Sequence, residues 1–181
     1  MQQDLVERAR RGDHDAFASL AAAAIFRLDA AARLILRDPD QAKDAVQETL
    51  VRAWRDLRAL RDPSRFDAWI HRLLMRAVQD QFREAKRQRS VVTLLRPDAS
   101  IRDGSEAIAI REQLERGFLR LTMEHRTVLV LRLYLGLSLE ETATTIGIPV
   151  GTAKSRLHYA TEAMRDALAA DARPPLQEVT A

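Results

Sequence analysis

Cysteine is absent from the 181 residues, which excludes disulfides, thiolate zinc sites and cysteine nucleophiles together. Any redox or zinc sensing would have to reside in a partner. Six glycines and six prolines leave little material for phosphate-cradling glycine loops. Aromatic residues make up only 5%, and β-branched runs are few. Charges interrupt every apolar stretch well before it could span a bilayer, and Met1-Gln2-Gln3-Asp4 lacks the basic-then-apolar order of a signal peptide. The chain is therefore expected to stay in the cytoplasm without membrane insertion. His14, His71, His125 and His158 lie too far apart to suggest a metal centre, so no cofactor, metal or catalytic residue is expected.

What is present favours helices: Ala, Leu, Arg, Glu and Asp dominate, and all-α is the natural fold class. With 46% hydrophobic and 30% charged residues, the chain can bury a core beneath a densely charged surface. A net charge of +3 permits nucleic-acid binding without demanding it, so the placement of the charge decides.

Asp13 is positioned to cap a helix whose inward stripe is Phe17, Leu20, Ala24 and Leu28. Asp38-Pro39 offers a cap followed by a proline suited to a first helical turn, and Ala42, Val46, Leu50, Ala53, Leu57 and Leu60 continue at three- and four-residue steps. The other faces of that helix carry Asp44, Gln47, Glu48, Arg52 and Arg55, which periodicity alone reads equally well as solvated surface or as a partner face. After a break at Arg61-Asp62-Pro63-Ser64, the stripe Phe66, Trp69, Ile70, Leu73, Leu74 and Ala77 leads into Arg83, Lys86, Arg87 and Arg89. The macrodipole accounts for one or two cations at a helix end, whereas four together point to an anion.

Between residues 90 and 105 the periodicity fades among Pro97, Asp98, Asp103 and Gly104, which marks an interdomain linker. Helical pattern returns with Ala107, Ile110, Leu114, Phe118 and Leu121, although Gly117 within it costs roughly 1 kcal/mol relative to alanine. Close packing against a neighbouring helix would explain that glycine. Thr122 is a cap for a further helix, whose run from Val128 to Leu133 reads as a buried centre ending at Gly136.

Ser138-Leu139-Glu140-Glu141 has the form of a capping box, so a helix is expected from about Leu139. Gly147 suits a helix end and Pro149 the first turn of the next helix, giving helix, tight turn, helix. In the second of these helices Ala153, Leu157, Ala160, Met164 and Leu168 face inward. Thr152, Ser155 and Tyr159 lie opposite, with Lys154, Arg156 and His158 on the flanks. Such donors on an exposed helix are what major-groove and phosphate recognition require, although an ordinary helical hairpin would show the same spacing.

These blocks resemble bacterial extracytoplasmic-function (ECF) sigma factors of the sigma-70 family over nearly the whole chain. Gly12-Asp13-x-x-Ala16-Phe17, Asp44-Ala45-Val46-Gln47-Glu48-Thr49-Leu50-Val51-Arg52-Ala53-Trp54 and Phe66-x-Ala68-Trp69-Ile70 resemble region 2. His125-Arg126-x-Val128-Leu129-x-Leu131, Gly136-x-Ser138-x-Glu140-Glu141-x-Ala143 and Gly151-Thr152-Ala153-Lys154-Ser155-Arg156-Leu157 resemble region 4. The resemblance implies two small helical domains, a region 2-like domain over residues 1–90 and a region 4-like helix-turn-helix over 107–172, with a linker at 91–106 and a tail at 173–181.

By that resemblance Asp44, Gln47, Glu48 and Arg52 would bind the clamp helices of the polymerase β′ subunit, and region 4 would meet the β flap. Arg61, Arg65, Phe66, Arg76, Arg83, Arg87 and Arg89 would serve the -10 element, where an extruded base costs a few kcal/mol that pocket and backbone contacts offset. Thr152, Lys154, Ser155, Arg156, His158 and Tyr159 would face the -35 element. An anti-sigma factor is the implied regulatory partner, and Trp54 and Trp69 are assigned to packing. The chain departs from the family pattern at Arg76, where Asn is usual, at Thr122 for Pro, at Thr142 for an aliphatic residue, and at Ala153 for Val. The rival reading is a helix-turn-helix regulator that binds operator DNA by itself.

Overall fold

The structure is a computed structural model that describes residues 1–89, 114 and 116–171, and the regular elements among them are all helical. The expected linker and the C-terminal tail lie outside the described residues. An N-terminal helix that periodicity does not reveal, α1 (Gln2–Arg10), buries only Val6 and Ala9. Then follow α2 (His14–Leu36), α3 (Pro39–Asp56) and α4 (Phe66–Arg89), with short 3₁₀ turns at Leu57–Ala59 and Pro63–Arg65 between the last two.

The caps anticipated from the sequence are present. Asp13 Oδ1 accepts the Ala16 N–H at 3.0 Å, and Asp38 Oδ1 accepts the N–H groups of Asp40 and Gln41, each at 3.0 Å, with Pro39 at the start of α3. Each carboxylate satisfies donors that the first helical turn leaves unpaired. The α3 stripe outlasts its helix: the chain leaves α-geometry after Asp56, and the 3₁₀ turn tucks Leu57 in before Leu60 follows, both remaining buried. Leu28, Ile35, Leu57, Phe66, Ile70, Leu74 and Met75 fill the centre of the four-helix module. Trp54 lies beside His14 and Phe17, with ring centroids 4.5 and 5.0 Å away, and Trp69 is tilted against Phe66 at 5.9 Å.

A helical segment ending at Arg120 opens the described part of the C-terminal module. It is followed by α5 (Met123–Leu129), a π-helical turn (Val130–Tyr134), α6 (Leu139–Ile146) and α7 (Val150–Asp171). Thr122 caps α5 by accepting the His125 N–H at 3.3 Å. A β-carbon on Gly117 would sit 2.7 Å from Met164 Sδ of α7, so close helix packing does account for that glycine. The π-turn alters the expected buried run. Val130 and Leu131 are buried, but Leu133 is 72% and Tyr134 43% exposed, because the widened turn rotates them away from the core.

The two modules share apolar packing. Val130, Leu131, Leu135 and Leu137 join the core of α1–α4, while a smaller cluster of Leu121, Val128, Leu129 and Ala160 belongs to the C-terminal module itself.

Candidate nucleic-acid interface

The capping box is complete: Ser138 Oγ accepts the Glu141 N–H at 3.1 Å, and Glu141 Oε2 accepts the Ser138 N–H at 2.8 Å. Gly147 ends α6 at φ 78°, a left-handed conformation that an L side chain resists, and its N–H donates to Ala143 O at 2.9 Å. The second helix begins at Val150, one residue later than expected. Pro149 stands just ahead of it, and its carbonyl accepts the Ala153 N–H at 3.0 Å. Together α6, the glycine turn and α7 make a helix-turn-helix.

On α7, Ala153 and Ala160 are buried and Leu157 and Met164 are partly buried against the module core, as the stripe anticipates. Lys154, Ser155, His158 and Tyr159 are exposed, and Thr152 and Arg156 are half-buried. Ser155 Oγ donates to Thr152 O at 3.1 Å, and the His158 and Tyr159 rings lie 5.5 Å apart. Lys154 and Arg156 form no ion pair among the described residues, so both charges are available to an anion. Gly151, exposed with no side chain near its Cβ position, leaves the backbone open to close approach.

The candidates on the first module fall into two groups. Arg61 and Arg65 are exposed at the turn before α4, where Asp62 accepts the Ser64 N–H at 3.0 Å and lies 3.9 Å from the Arg65 guanidinium. Those contacts hold the Asp62 carboxyl below the usual carboxylate range, the Ser64 side-chain bond foremost. Arg76, Arg83, Lys86 and Arg87 are exposed along α4. Arg83 pairs with Asp80 at 2.7 Å and Arg87 with Glu84. The Arg89 side chain falls outside the described residues.

Phe66 is a correction. Its ring is 2% exposed and packed into the four-helix core, so in this conformation it anchors the start of α4 and offers nothing to a nucleic acid. The apolar stripe of α4 already places Phe66 inward, and it was the family resemblance that assigned it to the -10 element.

On α3, Asp44 and Gln47 are exposed, and Glu48 and Arg52 half-buried. Arg52 donates to Glu48 Oε1 at 2.7 Å and to Asp80 Oδ2 of α4 at 3.0 Å, and these acceptors raise the Arg52 pKa, Glu48 first. Through Asp80 the candidate polymerase face on α3 and the basic face on α4 share one chain of charges, Glu48–Arg52–Asp80–Arg83.

Two polar residues that sequence reasoning did not single out as functional lie where the modules meet. Arg126 is 7% exposed and donates to Ile35 O of α2 at 2.8 Å and to Leu121 O at 2.6 Å. Burial, followed by the nearby charge of Arg37, lowers its pKa to about 10. His71 on α4 is 6% exposed with Nδ1 lacking a hydrogen-bond partner, and burial, reinforced by Arg27, lowers its pKa to about 4. Their sequence neighbours gave no signal, since Arg126 stands among Glu124, His125 and Thr127 and His71 beside Arg72.

Taken with its fold, the chain is an all-helical, two-module protein that carries a DNA-binding helix-turn-helix at its C-terminal end. Residues 26–88 match the sigma-70 region 2 family and residues 118–166 the sigma-70 region 4 family. The chain is 32% identical over 179 residues to the RNA polymerase sigma-H factor of Pseudomonas aeruginosa, covering 92% of this chain and 93% of that one. It is 38% identical over 133 residues to the ECF RNA polymerase sigma factor SigL of Mycobacterium tuberculosis, covering 71% and 75%. Among solved structures, the sigma factor RpoE of Bartonella quintana in complex with the anti-sigma factor NepR aligns with a TM-score of 0.74 at 24% identity, over 86% of this chain and 98% of that chain.

The chain belongs to the ECF group of the sigma-70 family. It is a sigma factor: it binds RNA polymerase core and recognises promoters. The region 2 match over residues 26–88 disfavours a regulator that acts on operator DNA alone. No helix among the described residues is long and apolar enough to cross a membrane.

Proposed function

We propose that residues 1–90 bind core polymerase through Asp44, Gln47, Glu48 and Arg52 and engage the -10 element through the turn at Arg61 and Arg65 and the exposed α4 face of Arg76, Arg83 and Arg87. Residues 107–172 engage the -35 element through Thr152, Lys154, Ser155, Arg156, His158 and Tyr159, joined to the first module by residues 91–106 and followed by a tail at 173–181. The observation that carries this reading is a pair of exposed basic helix faces, on α4 and on the second helix of the helix-turn-helix, held on separate modules of one chain.

A helix in the major groove reads base edges while cations beside it hold phosphates, and Lys154 and Arg156 supply such cations. The -10 side needs a different chemistry. Extruding a base costs a few kcal/mol, which a track of arginines along the backbone helps to offset. Arg76 brings a cation where the family pattern by resemblance has Asn, so it adds phosphate affinity and changes hydrogen-bonding preference at that position. The protein performs no chemistry itself; nucleotide addition belongs to the polymerase. It acts in the cytoplasm, with an anti-sigma protein as its further partner and the β flap as the second polymerase contact.

Run-off transcription with core polymerase tests the division of labour. Arg156→Ala should lower output from promoters that depend on the upstream element about tenfold, the equivalent of about 1.4 kcal/mol and within the roughly 1–3 kcal/mol of a groove contact, with core affinity unchanged. Gln47→Ala should weaken core binding and leave upstream-element preference intact. Equal loss of both properties in both variants would refute the assignment.

A further inference from the structure

A cleft of about 370 Å³ lies beside α4, and its lining is sorted by polarity. Met75 of α4, Met123 of α5 and Ile146 of α6 supply apolar walls, joined by Phe82 and by Ile148 from the turn of the helix-turn-helix. Met75 is 1% exposed and lies deepest, whereas Phe82 is 37% exposed at the edge. Thr127 spends its hydroxyl proton on Met123 O at 2.8 Å, so it adds no donor to the interior.

The charged groups of the lining are Arg83, Arg156 and Glu124. Arg83 already donates to Asp80 at 2.7 Å. Arg156 is half-buried and has no ion pair among the described residues, whereas its exposed neighbours Lys154 and Ser155 do not line the cleft. Glu124 opposes an anion, but two guanidinium groups outweigh it, and Arg156 has no acid to give up.

Apolar walls beside an unpaired guanidinium select an occupant with an apolar body and an anionic head. Pockets for small ligands run from about 300 to 1,000 Å³, and at about 30 Å³ per non-hydrogen atom, the share a water takes in the liquid, this cleft holds about a dozen such atoms. Two turns of a peptide helix, about 11 Å long and 10–12 Å across, would fill roughly 1,000 Å³, so the scale is that of a small molecule. The planar guanidinium fork matches a carboxylate, and methionine side chains repack around apolar bodies of varied shape.

We propose that this cleft is a binding site for a small amphipathic carboxylate of the size of a medium-chain fatty acid, its head paired with Arg156 and its body against Met75, Met123, Ile146 and Ile148. The consequence for DNA rests on the bipartite promoter reading: a carboxylate on Arg156 that also crowds Arg83 competes with the promoter for both. Binding itself needs only the protein.

Sodium decanoate is the probe, titrated into the full chain labelled with nitrogen-15 and followed by amide chemical shifts. The shifts should cluster at Phe82, Met123, Ile148 and Arg156 and saturate with a Kd on the order of 0.1 mM. Decanol, which has the body without the charge, and acetate, which has the charge without the body, should each bind at least about tenfold more weakly. Arg156→Ala should weaken decanoate about tenfold and leave decanol unchanged, and Arg156→Lys should restore part of the loss. Ile148→Ser should weaken both ligands, with circular dichroism showing unchanged helix content in all three variants.

Shifts scattered over the surface, no saturation below about 10 mM, or equal affinity for decanoate and decanol would overturn the site. So would Arg156→Ala binding decanoate as the wild type does, or an acidic amphipathic peptide shifting the same residues where decanoate does not. Run-off transcription decides the promoter reading separately, since the shifts answer for the cleft whether or not initiation occurs.

Discussion

Helices α1 to α4 bury a core that extends from Val6 to Val78 and includes Leu28, Ile35, Phe66, Ile70, Leu74 and Met75, whereas the cluster proper to the C-terminal module is Leu121, Val128, Leu129 and Ala160. A fully buried leucine or phenylalanine contributes about 1.5–3 kcal/mol, and the first set is ample for a small bundle. Among the described residues the second set is extended by the partly buried Phe118, Ile146, Leu157, Ala163 and Met164. Val130, Leu131, Leu135 and Leu137 instead pack into the core of α1–α4, so part of the C-terminal module's burial depends on its neighbour.

The comparison breaks most readily at Leu131, which is fully buried at the boundary. Leu131→Ala should cost about 2–5 kcal/mol, seen as a lower urea midpoint, and should shift the C-terminal module's unfolding away from that of α1–α4. A cost below about 1 kcal/mol would mean that the boundary contributes little to stability.

Protonation of His71 probes the same region from the α4 side. Its neutral form is the one the fold accommodates; Arg27 opposes the charge, while Asp67 and Glu141 of α6 favour it less effectively than burial opposes it. Because the folded pKa of about 4 lies below the ordinary 6.5, the stabilising contribution is present above pH 6.5 and is lost as the pH falls towards 4, by up to roughly 3 kcal/mol. His71→Gln should flatten that part of the pH–stability profile relative to wild type. Parallel profiles for the two proteins would contradict the assignment.

The smallest effect belongs to a surface cap. Ser138→Ala removes the hydroxyl that accepts the Glu141 N–H and should cost about 1 kcal/mol, measurable as faster amide exchange in α6 with α1–α4 unaffected. Spread of the change into the first module would indicate tighter coupling than the contacts described above provide.

The difference between the modules also tracks what the sequence made legible. Local chemistry was readable: the caps at Asp13, Asp38, Thr122 and Ser138, the turn at Gly147 and the inward stripe of α7 all depend on residues within one or two helical turns. The exposed charges of α3, α4 and α7 followed from the same periodicity. Features settled by distant contacts were not readable. Helix α1 buries too few residues to print a stripe, and the π-turn exposes Leu133 at the end of a run, Val128 to Leu133, that reads as a buried centre. Arg126 likewise takes its place from tertiary packing, carried into an apolar boundary.

Combining the purified chain with core polymerase on a library of promoter fragments, with start sites mapped, tests the central claim most directly. Initiation is expected at defined starts that share two upstream elements at constant spacing, with Arg156→Ala reducing preference for the distal one. Tight binding of the chain to DNA by itself, with core polymerase still unable to initiate, would contradict it.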